Sequence, residues 1–156
     1  MMKTAANNYW KIVSEIDLIY KTKVKSSQRP LITSSRCAYA LLKDCWDPGK
    51  IEFLEQFKVL LLNQSNRVLG IYEASSGGIS GTIVDIRLLF AAALKSSAVG
   101  IIVSHNHPSG KTSPSEADKS ITRKIKQAGE LLDIKLLDHV IVSSENYYSF
   151  ADEGAL

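Results

Sequence analysis

His105-Asn106-His107 is followed by a seven-residue gap to Ser115 and a two-residue gap to Asp118. Two imidazoles and a carboxylate at this spacing make a three-ligand set for one catalytic zinc, with the fourth position open to water. On an extended chain residues two apart share a face, so His105 and His107 can approach the same ion. Ser115 and Asp118 lie three apart, on one face of any helix that starts near them. The spacing therefore predicts metal ligands at His105, His107 and Asp118, brought together by a strand, a loop and a helix.

The surrounding elements must deliver that arrangement. Val99 to Val103 is an uninterrupted apolar run of strand length, suited to a sheet centre, and it ends at the histidines. The helix after the loop carries Ile121, Ile125, Ala128, Leu131 and Leu132 at helical spacing. Ser113-Pro114-Ser115-Glu116 reads as its start, with Ser113 as cap, Pro114 in the first turn and Glu116 reaching back. In that register Ser115 and Asp118 are free for the site. Phe57 to Leu62 and Val68 to Tyr72 flank Asn63 to Arg67 as a hairpin, and a short extended segment through Thr82 and Val84 follows.

Asp85 caps a helix to about Ser97, and Thr33 or Ser34 caps an earlier one burying Cys37, Ala38, Leu41, Leu42 and Cys45. Leu136 to Val142 and Tyr147 to Phe150 are closing strands. From Trp10 to Val24 apolar and charged residues alternate, which predicts a half-buried strand. Interleaved helices and hairpins together predict an α/β fold: a mixed, largely antiparallel sheet flanked by helices. One domain, 1–156, is expected, comprising an N-terminal arm and strand over 1–30 and the main body over 31–156.

Composition narrows the function. Hydrophobic residues make up 45% and charged residues 22% of 156, ordinary values for a globular chain. A net charge of +3 does not demand a nucleic acid or a membrane surface. The start MMKTAANNYW lacks the apolar stretch of a signal peptide, and the longest apolar run, Leu88 to Leu94, is too short to span a bilayer. A cytoplasmic protein is expected. Cys37 and Cys45 have no ligand spacing and read as buried thiols.

The string His-x-His, seven residues, Ser, two residues, Asp resembles the signature of the JAMM (MPN) metalloproteases. Ser104-His105-Asn106-His107-Pro108-Ser109-Gly110, with Pro114-Ser115 and Leu137-Asp138-His139, is similar to the bacterial RadC-like branch. The likeness covers about 31–156. It implies a fold related to the cytidine deaminases, zinc on His105, His107 and Asp118, and Ser115 as the donor to an oxyanion. It also implies a proton-handling glutamate before the hairpin. Glu55 matches that position; Glu52, in the connector, and Glu73, beyond the turn, are the alternatives.

The implied activity is hydrolysis of a peptide or isopeptide amide bond in a peptide or protein substrate, with partner choice in loops such as Gly77 to Gly81. Two features depart from the RadC-like pattern: Leu88 stands where a glutamate is common, and the helix-hairpin-helix segment of longer members is missing. Both count against carrying over the DNA-repair role. A nucleic-acid reading would rest on Lys21, Lys23 and Lys25 sharing one strand face, with Arg29 nearby. An inactive interaction module is the other alternative. His139 is expected on a strand, or as a hydrogen-bond donor behind a ligand.

Overall fold

A computed structural model of the chain describes residues 9–78 and 81–156. Its helices are α1 (Ser35–Cys45), α2 (Ile86–Lys95) and α3 (Glu116–Leu131). Its strands are β1 (Gln56–Leu62), β2 (Val68–Ser76), β3 (Gly100–Asn106), β4 (Lys135–Val142) and β5 (Tyr147–Ser149). The five strands form one sheet in the order β2-β1-β3-β4-β5. Only the β3–β4 pair is parallel. The architecture is thus the mixed, mostly antiparallel α/β sheet that the sequence predicts. Among the described residues no helix is long and apolar enough to cross a membrane.

Two apolar clusters cover the two faces. Phe57, Val59, Leu61, Ile101 and Val103 pack with Leu89, Phe90 and Ala93 of α2 and Ile125 of α3. On the opposite face Leu60, Leu62, Ile102, Val140 and Val142 pack with Ala38 and Leu42 of α1 and with Trp46. Every residue of β3 is buried. Burying an aliphatic side chain contributes about 1.5–3 kcal/mol, so the strand bearing the histidines is held by packing on both sides.

A register shift in β4 matters for the site. Ile101 pairs with Leu136 but Ile102 pairs with Asp138, so Leu137 is an extra residue in the ladder. Side chains alternate faces along a strand, so this single insertion reverses which residues face α3. Without it His139 would point to the α1 side. With it, His139 faces the same way as Leu136 and lies against Phe57 and Phe150.

Several expectations are corrected. The segment Lys11 to Val24 is not a strand; it is exposed throughout and includes Ile16 at 83% and Leu18 at 85% exposure. Alternation gives a strand its faces, but a strand also needs a neighbour to bond, and among the described residues none pairs with this segment. Lys21, Lys23 and Lys25 therefore share no strand face. Residues 1–8, the start of the expected arm, lie outside the described residues.

Thr82 to Val84 forms no strand. Residues 79 and 80, inside the expected partner-selecting loop, are also outside the described set. Ser34 caps α1 by accepting from the Cys37 N–H, as the alternative at Thr33 or Ser34 anticipated. Cys37 is only half-buried and Cys45 is exposed, because α1 turns just Ala38 and Leu42 fully inward.

Candidate metal centre

β3 and α3 meet where the ligands were expected. His105 Nε2 lies 3.2 Å from Asp118 Oδ1, and His107 Nε2 lies 3.2 Å from Asp118 Oδ2. The two Nε2 atoms are 3.0 Å apart. One potential ligand atom from each of the three residues lies within 4.8 Å of the others. His105 is buried and His107 is half-buried.

The start of α3 differs from the expected register, and the difference concerns chemistry. Its cap is Ser115, not Ser113. Ser115 Oγ accepts from the Asp118 N–H at 3.1 Å, and Asp118 Oδ2 accepts from the Ser115 N–H at 2.8 Å. Ser115 and Asp118 therefore form the capping box themselves instead of being spared by it. Because the Ser115 oxygen accepts in the cap, its own O–H stays available to donate into the cavity.

The turn after the histidines fixes the second imidazole. Gly110 adopts φ +83, a conformation that suits glycine, and its N–H donates to the His107 carbonyl at 2.9 Å. The chain then brings the Lys111 carbonyl to 2.7 Å from His107 Nδ1. A carbonyl can only accept, so Nδ1 carries a proton; the neutral ring turns a bare Nε2 toward Asp118, and the cationic ring donates to it from Nε2. His105 Nδ1 meets His139 Nε2 at 2.7 Å, and His139 Nδ1 meets Thr122 Oγ1 at 2.6 Å.

The electrostatics follow from this crowding. Burial pushes the Asp118 carboxyl up, but hydrogen bonds from His105 and His107 outweigh it and hold the group well below the usual carboxylate range. The hydrogen bond to Asp118 pushes His107 up against the effect of burial. Complete burial, first among the causes, keeps His139 well below the ordinary histidine value and therefore neutral. Burial raises the Glu55 carboxyl, opposed by His105 and His107. Imidazole nitrogens and a carboxylate converging here repel one another unless a proton or a cation sits between them. That donor set fits a borderline metal such as zinc.

A cavity of about 670 Å³ opens over these groups, lined by Glu55, Phe57, Thr82, Ser115 and Ile121 among others. Of the three candidate glutamates only Glu55 lines it. Glu52 is exposed and accepts from Ser144 Oγ, while Glu73 accepts from Gln56 Nε2. Leu88 is an exposed position on α2 and does not line the cavity.

Asn106 is a residue that sequence reasoning passed over as a spacer between ligands. It is fully buried and points to the face opposite the histidines. Its Oδ1 accepts from the Gln56 N–H at 2.7 Å, and its Nδ2 donates to the Ile51 and Leu54 carbonyls at 2.8 and 2.9 Å. Asn106 thus clamps the backbone on both sides of Glu55. Asn106→Ala would leave one N–H and two carbonyls unpaired, at an expected cost of about 1–3 kcal/mol. Urea unfolding checks this; a loss under about 0.5 kcal/mol would mean that water replaces the clamp.

A mixed α/β sheet that brings two histidines and a carboxylate together at the end of its central strand, in an arrangement compatible with a metal ion, defines the class of protein. The family model for the RadC-like JAB domain matches residues 32–155. The chain belongs to that family. A UPF0758 protein of Flavobacterium johnsoniae is 52% identical over 123 residues, covering 79% of this chain and 52% of that protein. One from Porphyromonas gingivalis is 41% identical over 131 residues, 83% of this chain and 56% of that protein. UPF0758 protein YfjY of Escherichia coli is 45% identical over 102 residues, 65% of this chain and 64% of that protein. The chain spans about half the length of the first two.

Proposed function

We propose that the protein is a zinc-dependent hydrolase of a peptide or isopeptide amide bond, with one zinc per chain held by His105, His107 and Asp118. The observation that supports it most is the convergence of three ligand groups beside a half-buried carboxyl in an open cavity. Zinc bound there would supply Lewis acidity, making water easier to deprotonate and a carbonyl easier to attack. Glu55 takes a proton from the attacking water as its oxygen bonds to the carbonyl carbon. The Ser115 hydroxyl donates to the carbonyl oxygen as negative charge develops on it. Glu55 then gives its proton to the amide nitrogen, the carbon–nitrogen bond breaks, and a carboxylic acid and an amine leave. A cavity of this volume suits a short extended stretch of chain more than a globular surface.

The test is incubation of the zinc-loaded protein with a library of linear and lysine-branched peptides, reading new amine and carboxyl termini by mass spectrometry. Cleavage that a chelator abolishes and zinc restores is the expected result. A protein that holds zinc stoichiometrically yet cleaves nothing in the library would overturn the hydrolase reading in favour of an interaction module.

A further inference from the structure

A polar chain runs behind His105 and returns to its starting point. His105 Nδ1 lies 2.7 Å from His139 Nε2, and His139 Nδ1 lies 2.6 Å from Thr122 Oγ1. Thr122 Oγ1 in turn lies 2.6 Å from the Asp118 main-chain carbonyl. Asp118 therefore stands at both ends, touching His105 Nε2 with its carboxylate and closing the chain with its carbonyl. All of these links are buried, with His139 at 0% and Thr122 at 3% exposure.

We propose that Thr122 and His139 are positioning residues that fix the proton of His105 on Nδ1, keeping its Nε2 lone pair aimed at the cation. This deepens the zinc reading above and rests on it. The assignment follows by elimination. A carbonyl oxygen carries no hydrogen, so the Thr122 O–H must donate to Asp118. The Thr122 oxygen is then an acceptor, and the proton facing it must sit on His139 Nδ1.

Fully buried between Phe57 and Phe150, the His139 ring holds that single proton, so its Nε2 is bare and can only accept. The proton between the two rings belongs to His105 Nδ1, and His105 Nε2 is left without one. Reversing any link sets two lone pairs or two protons face to face across a buried gap of 2.6–2.7 Å. A histidine expected as a donor to a ligand is thus an acceptor from it. The Leu137 insertion in β4 is what places that ring on the correct side of the sheet.

Nitrogen-15 spectroscopy of histidine-labelled, metal-free protein at mildly alkaline pH reads the tautomers directly. The expected spectrum places the protons of His105 and His139 on Nδ1. A His139 proton on Nε2 would overturn the proposal, and this readout stands even if the protein binds no zinc, a result that would sink only the hydrolase reading. Zinc affinity measured against a competing chelator is the second arm. Thr122→Val, which keeps shape but loses the hydroxyl, should weaken binding about 10–100-fold, and Thr122→Ser should restore it. Wild-type affinity in Thr122→Val would refute the relay. Should that variant fail to fold, the wild-type spectrum decides alone.

Discussion

Glu55→Gln should retain one zinc per chain and lose amide hydrolysis by roughly two to four orders of magnitude, the usual contribution of a positioned acid–base group. The substitution keeps the shape of the side chain at the cavity wall, and the backbone there is held independently. The Glu55 N–H donates to the Gly78 carbonyl, the Gly77 N–H donates to the Glu55 carbonyl, and Asn106 clamps the flanking residues. What disappears is a carboxylate whose proton affinity burial has raised, which is the property a proton shuttle near neutral pH requires. An amide can neither take a proton from water nor return one to nitrogen. Metal analysis and peptide turnover on the same preparation decide the matter. Full turnover by the zinc-loaded variant would remove Glu55 from the mechanism.

Asp118→Asn should abolish stoichiometric zinc while leaving the fold within about 1 kcal/mol of wild type. Structural zinc sites are worth roughly 10–16 kcal/mol over four ligands, so one lost ligand weakens binding by about two orders of magnitude or more. The capping box survives, since asparagine can still accept from the Ser115 N–H and its own N–H still donates to Ser115 Oγ. Zinc titration and chemical denaturation separate the two effects. An unfolded variant would show that Asp118 serves α3 more than the ion, and undiminished zinc uptake would show that the third ligand is another residue.

The two histidines and Asp118 were legible because strand and helix periodicities alone say which side chains can meet. The capping register was not. Ser113 to Glu116 and Ser115 to Asp118 are both serine-to-acid pairs, three residues apart, and local sequence ranks them equally. The structure selects the pair whose acid meets His105 and His107, a tertiary contact that local sequence does not contain. The alternation before Val24 misled for a related reason, since a pattern of faces carries no information about whether a partner strand exists.

Asn106 stayed hidden because its partners are main-chain groups distant in sequence, and Thr122 because its partner beyond its own helix is the His139 side chain on β4, which no spacing rule reveals. The Leu137 insertion was equally silent. Yet the unbroken run of buried positions along β3 was a usable signal: a buried asparagine there had to find partners on the other face.

The capping box at α3 has a practical corollary. Its hydrogen bonds join Ser115 and Asp118 to each other, and α3 is anchored by Ile125 inside an apolar cluster that needs no ion. Zinc-finger peptides collapse on chelation because the metal is their scaffold. Here the framework rests on its own hydrogen bonds and core, so loading with zinc, cobalt or cadmium should proceed on native protein, without a refolding cycle.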